Sequence, residues 1–362
     1  MIESEDHKEN LIKFTEKYHN IPQSFPQDEN GKPTEKYLEY LSLIYNAEAI
    51  KIVLELDVFP EMMSISKLSR KLGIEKEELL NKLEPLIKRG FVLKLGPRLA
   101  RPTPLYLYDM PFALEVNYLG EDVKEFARLS REFFEEGYYK PWENTKEGIP
   151  LTRVLTVSEE VEDPREIVPY EEVYKIIDQH SDFAVVGCPC RRRKEIEGIR
   201  KCKDKYPIHN CLQMGIHAEY ILNEIGDPDI KRISKEEAMK ITREAAEIGL
   251  VHTTDNRVGN FNIICACCEC CCGFLAGLTR FDNPRAIAKA NYISHVDSEK
   301  CQGCETCLTR CKFGAITVDG ISQINIDKCM GCGLCAVTCP QDAITMKRME
   351  RETIQAKEFG LL

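Results

Sequence analysis

The sequence contains no stretch of 18 uncharged apolar residues, the minimum for a helix that crosses a membrane. Its first ten residues are polar and acidic, and they do not have the pattern of a signal peptide. No G-x-G-x-x-G motif follows a predicted strand, so nothing indicates a nicotinamide or flavin site. We therefore expect a cytoplasmic protein with no membrane span.

An excess of positive charge is also lacking. The 362 residues include 59 acidic and 49 basic side chains, which gives a formal net charge of −10. This balance weighs against general nucleic-acid binding and favours docking on basic partner proteins. The hydrophobic fraction of 43% is sufficient for two or three domains with buried cores.

Cysteine, in contrast, is abundant. The chain has 18 cysteines, which in a reducing compartment indicates metal ligation rather than disulfide bonds. Eight of them form two runs with the spacing C-x2-C-x2-C-x3-C, namely Cys301, Cys304, Cys307 and Cys311, then Cys329, Cys332, Cys335 and Cys339. This spacing is typical of proteins that bind two 4Fe–4S clusters. Zinc knuckles usually pair C-x2-C with a distant second pair, so they fit the pattern less well.

The two runs belong to an internal repeat of 28 residues. The match extends beyond the cysteines, since Ile293-Ser294 aligns with Ile321-Ser322 and Ala315-Ile316 with Ala343-Ile344. Each half predicts a strand, a cysteine loop, a short helix and a second strand. One departure is Lys312, which occupies the place of Pro340 after the fourth cysteine of the run. It is either solvated or positioned to raise the potential of a nearby cluster.

Residues 291–347 resemble the bacterial dicluster ferredoxin family. In that family the fourth cysteine of each run binds the other cluster. The resemblance implies one cluster on Cys301, Cys304, Cys307 and Cys339, and a second on Cys311, Cys329, Cys332 and Cys335. The chain after Thr345 is charged, and we expect it to be helical from Met346 to Leu362, with residues 348–362 as a separate tail.

The N-terminal part of the sequence predicts a winged-helix-like domain over residues 36–108. Apolar periodicity and capping residues predict three helices, Tyr37–Leu56, Ser64 or Ser66 to Leu72, and Lys76–Arg89. Phe91–Leu95 and the chain from Leu99, joined by the Gly96-Pro97 turn, predict the wing hairpin. Residues 1–35 are predicted to be a loosely packed polar leader. Residues 109–165 read as a helical connector whose apolar stripe, Phe126, Leu129, Phe133 and Phe134, is expected to be core.

Residues 166–290 predict a cysteine-rich α/β domain. The expected elements are a helix from Pro169 to about His180, a strand Phe183–Gly187, helices Met214–Ile225 and Ser234–Ile248, and strands at 250–252 and 261–264. The fold class is therefore α+β multidomain, with the winged-helix-like domain first, the α/β cysteine-rich domain in the middle and the ferredoxin-like domain last.

The middle region holds the other ten cysteines. They are Cys188, Cys190, Cys202 and Cys211, followed by Cys265, Cys267, Cys268, Cys270, Cys271 and Cys272. Because side chains alternate along an extended chain, six cysteines in eight residues can surround a cluster only if the segment bends. We expect one or two further iron–sulfur clusters, with ligands from both groups. A zinc site and a redox-active dithiol remain the alternatives.

Other side chains in this region have two interpretations. Arg191, Arg192 and Arg193 either balance the charge of a cluster or an anionic ligand, or form a solvated loop. His209 and His217 flank Cys211 and are possible alternative ligands, although a structural role is favoured. His252 and His295 are expected at the edge of the core.

The arrangement of residues 36–347 resembles that of a broad set of anaerobic bacterial and archaeal iron–sulfur proteins. This resemblance implies an architecture and does not imply an activity. The predicted function is multi-cluster electron transfer, as a subunit or partner of an anaerobic oxidoreductase complex. One alternative is a reductase with a substrate-binding, non-standard cluster in the cysteine-rich centre.

The other alternative is a redox-sensing, DNA-binding regulator. Residues 67–101 contain ten basic and four acidic side chains, a local charge of +6. A recognition helix contacts bases near its N-terminus, and here that end carries Glu75, Glu77 and Glu78. These carboxylates would repel phosphates, so nucleic-acid binding is disfavoured and a protein-docking role for this domain is favoured.

Overall fold

The computed structural model describes residues 2–19, 24–140, 142, 148–157, 172–227, 230–257, 261–349 and 351. Its helices are α1 Glu5–Glu16, α2 Glu35–Ile44, α3 Ala47–Val53, α4 Ile65–Leu72, α5 Lys76–Lys88, α6 Pro104–Ala113, α7 Glu115–Tyr118, α8 Val123–Phe133, α9 Val173–Asp178, α10 Pro189–Ile196, α11 Gly215–Tyr220, α12 Lys235–Glu247, α13 Gly273–Thr279, α14 Thr306–Arg310 and α15 Leu334–Val337. Its strands are β1 Met63–Ser64, β2 Leu93–Leu95, β3 Arg98–Ala100, β4 Thr152–Val154, β5 Phe183–Gly187, β6 His209–Met214, β7 Arg232–Ile233, β8 Val251–Asp255, β9 Ile263–Cys267, β10 Tyr292–Val296, β11 Ile316–Asp319, β12 Ile321–Ile324 and β13 Ile344–Arg348. None of the described helices is long and apolar enough to cross a membrane.

The beginning of the chain is more ordered than the sequence suggests. Ser4 caps α1, and Leu11, Phe14 and Tyr18 are completely buried in the same hydrophobic core as the following helices. The expectation of a loosely packed leader is therefore wrong for these residues. The polar residues of α1 obscure the apolar face that packs against α2 and α3.

The next segment has the element order helix pair, strand, helix, helix, hairpin, in which the pair α2 and α3 takes the place of the first predicted helix. Its three strands form a sheet in the order β1-β3-β2, with antiparallel pairing throughout. Ser64 caps α4 and Gly73 ends it in the left-handed conformation, as predicted. The single helix expected over Tyr37–Leu56 is interrupted, because Asn46 caps a new helix, α3. This order is the one expected of a winged-helix-like domain, and membership of that class stays a prediction.

The middle of the chain is built on a six-stranded sheet in the order β4-β8-β9-β6-β5-β7. All neighbouring strands are antiparallel, so the expected α/β pattern is not realised as a parallel sheet. β6 was not predicted; it is the central strand that lies antiparallel to both β5 and β9. The predicted capping of α12 by Ser234 is present as a full capping box with Glu237. Of the helix expected from Pro169, only α9 lies within the described residues.

The sheet explains why distant cysteines meet. β6 is antiparallel to both β5 and β9, so the carboxyl ends of β5 and β9 lie at the same end of the sheet as the start of β6. Cys188 follows β5, Cys211 lies near the start of β6, and Cys267 ends β9. The chain then bends between Cys267 and α13, as the six-cysteine run requires.

The C-terminal region repeats one unit twice. β10 pairs with β13, and β11 pairs with β12, while α14 and α15 contact each other and pack on β11 and β13 respectively. This is the predicted pattern of strand, loop, helix and strand in each half. Met346 to Arg348 of the expected helical tail belong to β13, and residues 352–362 lie outside the described residues. One hydrophobic core joins the six-stranded sheet to Tyr292, Met330, Leu334 and Met346 of this region.

Candidate metal centres

The two C-terminal cysteine runs have matching hydrogen bonds that follow the 28-residue repeat. The Ser322 hydroxyl lies 3.3 Å from the Cys307 sulfur, and the Ser294 hydroxyl lies 3.1 Å from the Cys335 sulfur. Each serine therefore contacts a cysteine of the other repeat. The amides of Ala315 and Ala343 also donate to the sulfurs of Cys311 and Cys339, at 3.3 and 3.4 Å. These donors suit anionic sulfur, as in a thiolate-bound cluster.

The cysteines also frame a cavity. Its lining includes Cys301, Cys304, Cys307 and Cys339, which is the set assigned to one cluster by resemblance. In the other set, desolvation by burial raises the pKa of Cys335 to about 12 and raises that of Cys332 further. Bound cations are needed to keep such thiols ionised at neutral pH. The donor chemistry and the cavity fit a 4Fe–4S cluster, while the division of ligands stays a prediction.

The middle region brings its two cysteine groups together. The sulfurs of Cys202, Cys268, Cys270 and Cys271 all lie within 4.8 Å of one another. Individual distances are 3.9 Å from Cys202 to Cys268, 3.7 Å from Cys202 to Cys271, 3.7 Å from Cys270 to Cys268 and 3.6 Å from Cys270 to Cys271. We call these four side chains the tetrathiol group. It joins the loop after α10 to the bend after β9.

The remaining six central cysteines form a connected row. Neighbouring thiols interact in the order Cys188, Cys190, Cys272, Cys267, Cys265 and Cys211. The hydrogen bond with Cys188 is the largest cause of the lowered pKa of Cys190, and that with Cys265 is the largest cause for Cys267. We call these residues the cysteine row. It has enough sulfur ligands for one further cluster.

The three arginines after Cys190 are not a solvated loop. Arg191, Arg192 and Arg193 lie in α10 with exposed fractions of 0%, 1% and 4%. Arg191 donates to the Ala266 carbonyl at 2.9 Å and to the Asn210 side chain. Arg192 forms an ion pair with Glu115, and Arg193 packs 3.8 Å from the centre of the Tyr108 ring. Arg191 thus connects α10 to β6 and β9, whereas Arg192 and Arg193 connect it to α6 and α7. Arg191 and Arg193 also place positive charge beside Cys188 and Cys190.

The side-chain contacts of the histidines are mainly with groups other than sulfur. His209 contacts Arg192 and Glu115 at 2.8 and 3.0 Å, and its side chain is 58% exposed. His217 is buried between the rings of Tyr106 and Tyr220. His252 is buried beside the Thr242 carbonyl, at 3.1 Å, whereas His295 is exposed. The preference for structural roles over ligation agrees with these contacts.

A cavity of about 100 Å³ lies beside one end of the cysteine row. Cys211 and Cys265 line it, together with Asp109, Gln213 and His217. Burial raises the pKa of Asp109 to about 7, whereas burial lowers the pKa of His217 to about 4. Neither the ring nitrogens of His217 nor the Gln213 amide oxygen has a hydrogen-bond partner among the described residues. Polar groups thus converge on a mostly apolar space, as in small-molecule sites.

Comparison with known families identifies the C-terminal region. Residues 294–317 and 322–345 match the family described as a 4Fe-4S binding domain. The C-terminal region is a ferredoxin-type domain. No curated protein and no solved structure matches the chain. Two adjacent repeats match, which supports 4Fe–4S binding by this ferredoxin domain, and the total number of clusters stays a prediction.

Lys312 connects the ferredoxin domain to the central cysteines. Its ammonium group lies 3.2 Å from the Glu269 carboxylate and 3.3 Å from the Tyr206 hydroxyl. Glu269 belongs to the six-cysteine run, and Tyr206 packs in a cluster with Cys202. Burial lowers the pKa of Lys312, but the charges and hydrogen bonds of Glu269 and Tyr206 together outweigh burial and raise it. Of the two interpretations of Lys312, solvation is wrong, since the side chain is only 9% exposed.

Sequence reasoning found all the cysteines but missed several residues around them. Ser294 and Ser322 occupy equivalent positions in the 28-residue repeat, and this shared position is the signal that could have identified them as sulfur contacts. Asp109 and Gln213 gave no signal, because only β6 and α6 bring them to the cavity.

Proposed function

We propose that this protein transfers electrons between its ferredoxin domain and a centre built on the central cysteines. When bound, 4Fe–4S clusters supply one-electron redox chemistry at low potential. The observation that supports the proposal best is the buried contact of Lys312 with Glu269 and Tyr206. It joins the residue after Cys311 to the segments that carry the central thiols.

The exposure of the cysteines supports a path for electrons through the molecule, from an exposed end of the ferredoxin domain to the middle region. Cys304 is exposed, whereas Cys329 and Cys335 are 7% exposed. The Cys332 carbonyl accepts a hydrogen bond from the Val157 amide of the middle region at 3.1 Å. The part of the ferredoxin domain near Cys304 is therefore suited to meet an external redox protein, and the part near Cys332 faces inward. The external protein would be a partner or another subunit of an oxidoreductase complex.

The charge pattern of residues 36–108 favours docking on protein rather than on DNA. Five of the ten basic side chains between residues 67 and 101 form ion pairs, namely Lys71 with Glu55, Lys82 with Glu48, Lys88 with Glu84, Arg89 with Asp122 and Lys94 with Glu224. Arg101 is buried and donates to backbone carbonyls. Little of the local positive charge thus remains for phosphates. We expect weak DNA binding that disappears at moderate salt.

The cavity beside Cys211 and Cys265 supports a second function, that of a reductase. Its volume of about 100 Å³ accommodates a small group rather than a large substrate. A protonated Asp109 is a possible proton donor, and Gln213 offers an unpaired buried acceptor. These features favour a small, mostly apolar substrate with one polar group.

Metal analysis and redox titration test the electron-transfer proposal. The whole chain is purified without oxygen, and iron and acid-labile sulfide are measured per chain. We expect at least eight irons with matching sulfide, about two clusters, reducible at low potential. Electron paramagnetic resonance during stepwise reduction then shows whether a central centre takes an electron after the ferredoxin domain. Absence of any redox-active centre outside the ferredoxin domain would contradict the proposal.

A ligand panel separates the reductase from the carrier. Thiols, disulfides and thioesters are added to the reduced protein while its cluster spectra are recorded. A reductase should respond to one class, and the response should be lost in Gln213→Met. Gln323→Met is the matched control, because Gln323 is exposed and does not line the cavity. A protein that responds to no member of the panel is a carrier.

A further inference from the structure

The tetrathiol group has a geometry different from that of the other cysteines. Its four sulfurs come from two chain segments 66 residues apart, and they converge on one point without any bond between them. We propose that Cys202, Cys268, Cys270 and Cys271 bind a single divalent ion, Zn²⁺ or Fe²⁺, through four thiolates. This inference goes beyond the proposed function and does not depend on it.

The distances fit one tetrahedral ion. A metal–sulfur distance of about 2.3 Å places the corners of a regular tetrahedron about 3.8 Å apart. Four of the six sulfur–sulfur distances are 3.9, 3.7, 3.7 and 3.6 Å, and the other two are at most 4.8 Å. Tetrahedral coordination by four sulfurs is characteristic of structural zinc and of single-iron sites.

The same distances are too short for a cubane. A 4Fe–4S core places four irons and four sulfides between its thiolates, which separates them by on the order of 6 Å. The ferredoxin cysteines provide an internal comparison. Within the part of the chain that the structure describes, the tetrathiol group is the one set of at least three such ligands within 4.8 Å of one another. The eight cysteines that match the cluster-binding family do not converge in this way.

A disulfide explains the geometry less well. The sulfurs in a disulfide are about 2.0 Å apart and involve two cysteines, whereas here four sulfurs all lie within 4.8 Å of one another and none is bonded to another. Burial adds a reason for a cation, because Cys202, Cys268 and Cys271 are 6%, 1% and 5% exposed. Four thiolates around a divalent ion carry a net charge of −2. The positive charges of Arg191 and Arg200 act on Cys268 and Cys202 and offset that charge.

The assignment changes what the other central cysteines can do. With four thiols used by one ion, the cysteine row retains six, enough for one cubane and not two. The ion also fixes the loop after α10 against the bend after β9, next to Glu269 and its contact with Lys312. A zinc ion there would be structural, while an iron would add a one-electron site.

The experiment begins with the whole protein, purified without oxygen from medium containing zinc and iron. Zinc, iron and acid-labile sulfide are measured per chain, and X-ray absorption is recorded at the edge of the metal found. We expect one zinc, or one iron in excess of sulfide, with four sulfur neighbours at about 2.3 Å. The element found distinguishes zinc from iron. Iron equal to sulfide together with no zinc would overturn the proposal.

Variants locate the ion. Cys202→Ser and Cys270→Ser should each remove one metal per chain and leave sulfide unchanged. The matched control is Cys188→Ser, in the cysteine row, which should keep the single ion whatever it does to sulfide. Loss of iron and sulfide in equal amounts from Cys202→Ser would show a cluster instead. If both variants fail to fold, the metal count of the natural protein still decides, because a single ion adds one zinc, or one iron in excess of sulfide, whereas cubanes hold iron and sulfide in equal amounts.

Discussion

Single residues around the ferredoxin sulfurs adjust the charge that each sulfur carries. Ser322 and Ser294 occupy equivalent places in the repeat, and each approaches one sulfur, that of Cys307 or Cys335. A hydroxyl that donates to a thiolate stabilises the more negative, reduced state of a bound cluster. The two halves of the domain therefore offer a test in which each serine serves as the control for the other.

Ser322→Ala should lower the potential of the cluster that involves Cys307, on the order of tens of millivolts, because the donated hydrogen bond is lost. Ser294→Ala should lower the potential of the other cluster by a similar amount. A redox titration followed by electron paramagnetic resonance measures both. Thr338→Val is a further control, since its hydroxyl donates to the Leu334 carbonyl at 2.8 Å and not to sulfur. If either serine variant shifted the potentials of both clusters equally, the assignment of each serine to one cluster would be contradicted.

His217 gives a prediction for the pH dependence of stability. Burial lowers its folded pKa to about 4, below the value of about 6.5 in an unfolded chain. Between these values the unfolded state binds the proton more tightly, so stability falls as the pH decreases. Lowering the pH from about 7.5 to about 5.5 should cost the natural protein about 1 kcal/mol through this residue.

His217→Phe should remove that part of the acid sensitivity while it keeps an aromatic ring between Tyr106 and Tyr220. Denaturation midpoints measured without oxygen at the two pH values test this. The exposed His295→Phe is the control, and it should retain the acid sensitivity of the natural protein. An unchanged pH dependence in His217→Phe would show that other groups dominate.

At the scale of elements, the second cysteine loop is held against the middle region by a glycine. Gly333 has a φ of +80°, and a Cβ there would lie 2.2 Å from the Val157 carbonyl oxygen. The equivalent residue in the first repeat is Glu305, which adopts the same left-handed conformation with a φ of +60°. The loop conformation alone therefore tolerates a side chain. Close contact with Val157 is what requires glycine at 333.

Gly333→Ala should displace the loop from residues 155–157 and weaken the hydrogen bonds of Val157 to Cys332 and of Thr156 to Gly331. We expect a lower melting temperature and faster removal of iron by a chelator. Gly320→Ala is the matched control, because Gly320 also has a positive φ, +69°, but a Cβ there would have no other atom within 4 Å. Gly320→Ala should lose only about 1 kcal/mol of stability, from backbone strain. If the two substitutions changed the melting temperature and the rate of iron removal equally, the role assigned to the contact with Val157 would be contradicted.

Helices and strands were predicted correctly where capping residues, glycine stops or the internal repeat marked them. The capping residues Ser64 and Ser234 and the stop at Gly73 marked their helices, and the 28-residue repeat marked all four strands of the ferredoxin domain. α1 was missed because its polar residues outnumber the few apolar side chains that it buries. β6 was missed because His209–Met214 lacks the alternation of apolar and polar residues that indicates a strand, since five of its six residues are buried.

At the scale of the whole molecule, the sequence identified every cysteine but not which of them meet. Cys202 joins Cys268, Cys270 and Cys271 only through the register of β5, β6 and β9, which no local pattern encodes. The buried arginines of α10 were equally unpredictable, because Arg192 and Arg193 bind partners in α6 and α7, about 80 residues earlier, and Arg191 binds Ala266, 75 residues later. Long-range pairing of this kind is a property of the folded sheet rather than of any segment.

The connection between the ferredoxin domain and the centre depends on Lys312 in the same way. Lys312→Gln removes a buried positive charge next to Cys311 and leaves Glu269 uncompensated. Both changes disfavour the reduced state, so the potential of the cluster predicted to use Cys311 should fall by tens of millivolts. Electron transfer to the central cysteines should slow as well, because the contact with Glu269 and Tyr206 is weakened.

Rapid-freeze electron paramagnetic resonance after reduction of the ferredoxin domain measures that rate, and a redox titration measures the potential. Lys300→Gln is the matched control, since Lys300 is an exposed lysine one residue before Cys301 whose ion pair with Asp297 stays within the ferredoxin domain. It should leave the cluster predicted to use Cys311 and the internal rate unchanged. If the two lysine variants behaved alike, the Lys312 contact would not be the connection between the domain and the centre, because only one of the two lysines reaches the six-cysteine run.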